Sequence, residues 1–194
     1  MNLLTKFKHF RKINYLGLLI ISACTPASSQ GQLFTYREGN FSIFMPGAIS
    51  EETTTPVKGI TVRTWTTVKN ESLYTLAYSK FANKIAPDKR QQVLQLLINA
   101  ATKTNFIKGK KLSQNAVNKD GYNCQDFSLT GEPSAYIKGE TKKKGLSLKS
   151  KLYYQRNLLC IKDDQVVEAV VFTPSDEELK TNGASFIKSL NLKP

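Results

Sequence analysis

The chain has 194 residues and a formal net charge of +13, because 28 lysines and arginines outnumber 15 acidic residues. A basic surface of this kind favours anionic lipid, nucleic acid or acidic protein partners. The one histidine, His9, lies close to the start of the chain, so a domain that follows it has no imidazole. This excludes Ser–His and Cys–His nucleophile arrangements and the usual histidine metal sites from such a domain.

The beginning of the chain has the pattern of an export signal. Residues 1–12 hold four basic residues and no acid, and residues 13–23 are mostly apolar. A basic head followed by a short apolar core is typical of a secretory signal peptide. The apolar core is shorter than the roughly 20 residues that a membrane span needs. We therefore predict a signal peptide at residues 1–23.

The end of this signal resembles a bacterial lipobox, the recognition site of lipoprotein signal peptidase, in the four residues Ile21-Ser22-Ala23-Cys24. The resemblance implies cleavage before Cys24, diacylglycerol on its sulfur and acylation of the new amino terminus. Two or more acyl chains give stable membrane anchoring. The alternative is an ordinary signal peptide with a cysteine nearby.

The same resemblance implies where the protein resides. The residue after the cysteine is Thr25 rather than an aspartate. In this respect the chain resembles lipoproteins that go by default to the outer membrane of a bacterium with two membranes. We expect a membrane-anchored protein that faces the periplasm, or the thylakoid lumen if the source is cyanobacterial. Export argues against nucleic acid as a partner.

Removal of residues 1–23 leaves 171 residues, which suits one domain with a full core. The signal accounts for +4 of the charge, so the remainder keeps +9. Residues 24–32 are small, polar and uncharged after Cys24, and they predict a flexible tether. The domain itself is predicted at residues 33–194.

Alternation of apolar and polar residues predicts a strand-rich domain. Before the first helix, we expect strands at residues 41–44, 53–56, 60–68 and 73–81. After that helix, we expect strands at residues 111–118, 122–129, 135–140, 146–154, 158–161 and 166–172. The residues Lys119-Asp120-Gly121 are a hairpin-turn signal, and residues 141–145 are predicted to be a lysine-rich hairpin tip.

Helical spacing of apolar residues appears in two places. After Pro87 it predicts an amphipathic helix at residues 88–104, with Asp88 and Gln91 resembling a capping box. The predicted apolar stripe consists of Val93, Leu96, Leu97, Ala100 and Ala101. A second capping box, Ser175 with Glu178, opens a final helix. Its apolar stripe consists of Leu179, Gly183, Phe186, Ile187 and Leu190. Strands, one helix, more strands and one helix indicate an α+β fold with a mainly antiparallel sheet flanked by two helices.

Several segments resemble PsbP-like and DcrB-like domains: the opening FSIFMPG, the helix after a proline, the hairpin near GYNCQDF and the ending ASFIKSLNL. The resemblance spans residues 34–192. It implies an α/β/α sandwich around an antiparallel sheet and a binding or assembly role without a catalytic site. The metal sites of the photosynthetic members rest on histidines and acids. Without a histidine after the signal, no metal or other cofactor is expected.

Two cysteines and six lysines are further candidate sites. Cys124 and Cys160 lie on predicted strands in an oxidising compartment, so they either form a disulfide or remain two buried thiols. The lysines crowd the predicted hairpin as a basic contact surface for anionic headgroups or an acidic partner. The alternative is an edge hairpin kept soluble by its charges. These lysines are Lys138, Lys142, Lys143, Lys144, Lys149 and Lys151.

Other residue groups have two interpretations each. Asp163 and Asp164, with Glu168 nearby, are either ligands of a hard cation or a solvated turn, and their spacing favours the turn. Four aromatic residues either line a pocket between sheet and helix or belong to the core, which is the commoner case. They are Trp65, Tyr74, Tyr78 and Tyr153.

No catalytic motif occurs, and no enzymatic activity is expected. We expect a non-enzymatic binding or assembly module for an envelope or thylakoid protein complex. The alternative is a small-ligand or lipid-binding protein that uses a pocket between the sheet and a helix.

Overall fold

The computed structural model of the protein describes residues 31–57 and 59–193. The predicted signal peptide, Cys24 and the predicted tether up to residue 30 lie outside these residues. The strands before the first helix are β1 (Gln32–Tyr36), β2 (Phe41–Met45), β3 (Ser50–Val57), β4 (Ile60–Lys69) and β5 (Ser72–Phe81). The later strands are β6 (Phe106–Lys119), β7 (Tyr122–Pro133), β8 (Tyr153–Lys162), β9 (Gln165–Thr173) and β10 (Asn191–Leu192).

Three helices accompany the described strands. Helix α1 is Pro87–Asn105 and α2 is Ala135–Lys143. Helix α3 consists of Asp176–Glu178, a π-helical turn at Leu179–Gly183 and Ala184–Ser189.

A seven-stranded sheet with the order β3-β4-β5-β9-β8-β7-β6 forms the centre of the fold, and every neighbouring pair is antiparallel. The predicted α+β class and its antiparallel sheet are confirmed. The predicted turn at Lys119-Asp120-Gly121 joins β6 to β7, with positive φ at Asp120 (53°) and Gly121 (78°). Both central residues are left-handed, as a tight hairpin of this type requires.

Other elements pack on both faces of this sheet, because strands in its centre carry apolar residues on both sides. A three-stranded sheet, β1-β2-β10, and helix α3 pack against one face. Helices α1 and α2 lie over the other face. The expectation of two flanking helices is therefore too simple, since a third helix and a second small sheet complete the layers.

The predicted strand at residues 135–140 and the lysine-rich hairpin tip are wrong, because this segment forms helix α2. Pro133 ends β7, and Ser134 caps the helix by accepting a hydrogen bond from the backbone N–H of Ile137 at 3.3 Å. Ile137 packs on the core, and Thr141, one turn later, is buried. Residues four apart lie on the same helix face, so local capping and one apolar face outweigh the weak strand pattern. Strand β8 then begins at Tyr153 rather than at residue 146.

Helix α1 matches its predicted extent, but its predicted cap is wrong and its predicted apolar stripe is only partly correct. Val93, Leu97 and Ala101 of that stripe do pack on the core. Pro87 occupies the first helical turn, so the cap residue is Ala86, which makes no side-chain capping bond. Proline fits this position because it lacks the N–H that would be unpaired there. The buried residues are Val93, Leu94 and Ile98, whereas Ala100 is exposed. Seven apolar residues between 93 and 101 leave several stripes equally consistent with the sequence.

Helix α3 agrees with its prediction. The Ser175 side chain accepts a hydrogen bond from the backbone N–H of Glu178 at 3.1 Å, which is one half of the predicted capping box. All five residues of the predicted apolar stripe are buried. The Glu178 carboxylate instead accepts hydrogen bonds from Tyr74 and Asn182, which ties the helix to β5.

Cys124 on β7 and Cys160 on β8 occupy directly paired positions, and the structure joins them by a disulfide. Both side chains lie in the core between the large sheet and the small one. The disulfide therefore covalently links the neighbouring strands β7 and β8.

We expect the protein to contain this disulfide when it is isolated without reductant. The two cysteines are 36 residues apart in the sequence. Closing a loop of that length in the unfolded chain is expected to stabilise the fold by about 3–4 kcal/mol. Mass spectrometry after alkylation without reductant measures it: the expected result is that Cys124 and Cys160 resist alkylation until a reductant is added. Two fully alkylated cysteines in non-reduced exported protein would show that the bond is absent.

Candidate binding cleft

A cleft opens between helices α1 and α2 and the half of the large sheet formed by β3, β4, β5 and β9. It has two adjoining lobes with volumes of about 340 and 590 Å³. The lobes share residues on the sheet and on both helices. The shared residues are Thr75, Ala101, Asn105, Tyr136, Ile137, Glu168 and Val170.

The cleft exists because the helices do not cover this face of the sheet completely. Helix α1 packs on β6, β7 and β8, which are at the opposite end of the strand order from β3. The strands that remain uncovered carry small side chains on this face, which leave space beneath the helices. These side chains include Thr64, Thr75, Ala77 and Ser79.

One carboxylate, that of Glu168, lies on the floor of this largely apolar cleft. Glu168 is on the central strand β9, directly paired with Ala77 on β5 and Leu159 on β8. Val166 and Val170 lie beside it on the same face of its own strand, and both line the cleft. The Glu168 side chain thus has aliphatic neighbours on four sides.

Burial is the cause of an unusual titration at this position. Glu168 keeps some accessible surface inside the cleft, but protein atoms crowd its carboxylate closely enough to raise its pKa from 4.5 to about 7. Among the residues that the structure describes, desolvation by burial is the cause of this shift. No hydrogen-bond or ion-pair partner for this carboxylate occurs among the residues that the structure describes. A buried ionisable group without a partner is costly and unusual in a folded protein.

The other charged groups around the cleft are paired or exposed. Lys144 after α2 pairs with Glu52 on β3 at 3.3 Å, and Glu140 on α2 pairs with Lys143 at 2.7 Å. Lys103 on α1 is exposed at the outer edge of the second lobe. Tyr136 contributes a phenol from α2. Glu168 is therefore the unpaired negative charge that faces the interior of the cleft.

Hydrogen-bonded amides border the second lobe. The side-chain amide of Asn105, at the end of α1, donates a hydrogen bond to the side-chain oxygen of Gln155 at 2.9 Å. The side-chain amide of Gln155 in turn donates to the side-chain oxygen of Asn157 at 2.7 Å. The Asn157 amide nitrogen has no partner of its own in the described structure. These contacts connect the end of α1 to β8.

The four aromatic residues of the predicted pocket do not line this cleft. Trp65, Tyr74 and Tyr78 are buried in the core on the opposite face of the sheet. Tyr153 is buried in the other core and stacks on Phe172, with 4.8 Å between the ring centroids. Burial is the main reason that the pKa of Tyr78 is raised to about 12. The core interpretation of these residues is therefore the one that the geometry supports.

The six candidate lysines are spread over α2 and the segment that follows it. Four of them contact a glutamate, and these contacts point to different parts of the domain. The pairs are Lys138–Glu132 (3.1 Å), Lys143–Glu140 (2.7 Å), Lys144–Glu52 (3.3 Å) and Lys149–Glu71 (2.8 Å). Lys142 and Lys151 have no ion pair within residues 31–57 and 59–193. Exposed pairs of this kind contribute little stability each.

The acidic turn and Glu168 do not form one site. Asp163 pairs with Arg90 of α1 at 2.9 Å, at the turn between β8 and β9. Glu168 lies five residues further along β9, on the floor of the cleft. The described residues contain no group of three or more His, Cys, Asp or Glu side chains placed to hold a metal ion.

Sequence reasoning grouped Glu168 with this turn and did not recognise it as the centre of a cleft. A signal was present, since Glu168 interrupts the otherwise apolar run Val166-Val167-Glu168-Ala169-Val170-Val171. Strands buried on both faces have near-continuous apolar runs, so a single acid within one marks an unusual environment.

Comparison with known proteins supports the fold. No known family profile and no curated protein matches the sequence. The solution structure of cyanobacterial PsbP (CyanoP) from Synechocystis sp. PCC 6803 is similar, with a TM-score of 0.53 and 9% identity, over 89% of this chain and 98% of that one. A Pseudomonas aeruginosa protein of unknown function gives a TM-score of 0.43 and 9% identity, over 82% of this chain and 92% of that one. The chain therefore has a PsbP-like fold.

The helices in the described part of the chain all lack the combination of length and hydropathy that crossing a membrane requires.

Proposed function

We propose that the protein is an exported, membrane-anchored, non-enzymatic binding module that holds a small molecule with an apolar part in the cleft around Glu168. The observation that carries this proposal is the unpartnered carboxylate on the floor of an open, largely aliphatic cleft. Cavities of several hundred cubic ångströms with a few polar groups are typical of small-molecule sites.

The stability cost of Glu168 supports a functional role. An aliphatic residue at this position would match its neighbours Ala77, Leu159, Val166 and Val170. Strongly perturbed ionisable groups in clefts are enriched at functional sites, where a protein accepts some loss of stability. A bound molecule that satisfies the carboxylate would remove this cost.

The residues that line the cleft support binding rather than catalysis. The described residues that line the cleft contribute hydroxyl and amide side chains beside Glu168, and none of them is a histidine or a cysteine. Nucleophilic catalysis requires a nucleophile in hydrogen-bond contact with a base. The PsbP-like fold agrees with a binding role but does not specify one.

Native mass spectrometry tests the occupancy of the cleft. The full chain isolated from its own membranes under mild conditions is expected to carry a bound small molecule. Ala101 of α1 lines both lobes, so Ala101→Phe should fill the space and abolish the extra mass. Gln92→Phe, at an exposed position of the same helix, is the matched control and should retain it. Equal occupancy in both variants would contradict binding in the cleft.

Docking on a protein complex of the envelope or thylakoid is a second candidate function. It is favoured by a pair of exposed apolar side chains on the small sheet, Leu33 (69% exposed) and Phe44 (47% exposed), which are direct cross-strand partners. Exposed apolar groups that lie together mark contact surfaces. Crosslinking in intact membranes tests this function: a partner captured by the native chain should be lost when both residues are changed to serine.

A further inference from the structure

The cleft also indicates the chemical class of its ligand. Its floor is aliphatic around one carboxylate, so a complementary molecule needs an apolar body and one polar group that meets Glu168. The carboxylate can be satisfied by a cation or by a neutral hydrogen-bond donor. The charges nearby decide between these two.

Within residues 31–57 and 59–193, the positive charges near the cleft do not pair with Glu168. Lys144 is engaged by Glu52, and Lys143 is engaged by Glu140. Lys103 is exposed at the outer edge of the cleft, where water screens its charge. Tyr136 also lines the cleft and carries no cationic group. The strands β4 and β5 contribute only uncharged side chains to the lining.

From this arrangement we propose that the cleft binds an apolar molecule with a single protonated amine, whose ammonium group pairs with the Glu168 carboxylate. This inference rests on the proposed function, since it requires that the cleft be a binding site. An ammonium group supplies the hydrogen bonds that Glu168 lacks, and hydrogen bonds between charged groups are stronger than neutral ones. The surrounding aliphatic side chains contact the apolar body.

A pH dependence follows from the same geometry. A cation favours the ionised form of Glu168, so binding releases a proton wherever the free carboxyl is still protonated. The affinity for an amine should rise by up to about tenfold per pH unit between pH 5 and 7 and level off above pH 7. Alcohol binding should vary little over the same range.

Calorimetric titration of the full chain with three matched probes tests the inference: octylamine, 1-octanol and octanoate. At pH 8, octylamine should bind at least about tenfold more tightly than 1-octanol, because a hydrogen bond to a charged group is stronger than a neutral one. Octanoate should bind most weakly, since it repels Glu168. Glu168→Gln should remove the preference for the amine and keep 1-octanol binding. Glu177→Gln, which changes an exposed acid on α3, should behave as the native chain.

The outcomes separate the two proposals. If 1-octanol binds and octylamine binds no more tightly than 1-octanol, the amine inference is wrong and the cleft remains a binding site. The same conclusion follows if Glu168→Gln leaves the preference for the amine unchanged. Tighter binding of octanoate than of octylamine would also overturn the inference. If none of the three probes binds, the cleft is not a site for apolar molecules, and both proposals fail.

Discussion

Replacing Glu168 with glutamine is expected to stabilise the folded protein by about 3 kcal/mol above pH 7 and to change its stability little near pH 4.5. The reason is the raised pKa of the carboxyl group, about 7 in the folded protein against an ordinary value of 4.5. The folded protein binds a proton at Glu168 more tightly than the unfolded chain does. Its free energy of unfolding therefore falls as the pH rises from about 4.5 to 7.

Glutamine is uncharged at every pH, so the variant lacks this decline. Urea unfolding of the native chain and the variant at several pH values measures the difference, which should grow from near zero at pH 4.5 and level off above pH 7. Glu177→Gln serves as the control, because that acid is exposed on α3, and its difference from the native chain should stay small throughout. A difference for Glu168→Gln that is constant with pH would contradict the buried, unpartnered carboxylate.

The second prediction with a large expected effect concerns the attachment of the protein to the membrane through Cys24. Replacing Cys24 with serine is expected to abolish lipid attachment, because acylation needs the thiol to form a thioether. The variant should then either leave the membrane fraction or remain as an uncleaved precursor. Two acyl chains give stable anchoring, so the loss should be nearly complete rather than graded.

Fractionation combined with mass spectrometry of the intact protein distinguishes these results. Thr25→Ser is the matched control, since it alters the neighbouring residue and leaves the cysteine in place. The control should stay in the membrane fraction with the mass of a lipidated chain. Unchanged membrane retention and unchanged processing of the Cys24→Ser variant would show that the protein is not a lipoprotein.

The strands were largely predictable because their pattern is local. The alternation along residues 73–81 agrees with the structure, in which Tyr74, Leu76 and Tyr78 lie in the core and Thr75 and Ala77 lie on the opposite face. Strand β1 and the short β10 were not predicted. They pair with β2 in a separate sheet, and no local signal shows which sheet a strand joins.

Helix α2 was not predictable from alternation, since its polar and apolar residues also fit an exposed strand. Non-local interactions reinforce the local cap at Ser134. Ser134 donates its hydroxyl to the Thr104 carbonyl of α1 at 2.6 Å while capping α2, and Lys144 reaches Glu52 on β3. These contacts place α2 across the sheet and thereby form one wall of the cleft.

The cleft itself depends on strand order, which the sequence did not reveal. Ala77 and Glu168 are 91 residues apart, yet they are direct neighbours because β5 pairs with β9. The small side chains beside Glu168 come from different strands, so they had no common pattern in the sequence. The acid within an apolar run was visible, but its position opposite the two helices was not.

Methyl NMR spectroscopy of the full chain during titration with 1-octanol tests the central claim, that the cleft is a binding site, most directly. The methyl groups of Ala77, Ala101 and Val170 line the cleft, whereas Ala169 and Val171 project to the opposite face of β9 and are buried in the other core. We predict saturable shifts of the first three signals, with the signals of Ala169 and Val171 changing much less. Signals of the cleft methyl groups that do not move at saturating 1-octanol, or shifts confined to the opposite face, would contradict the account.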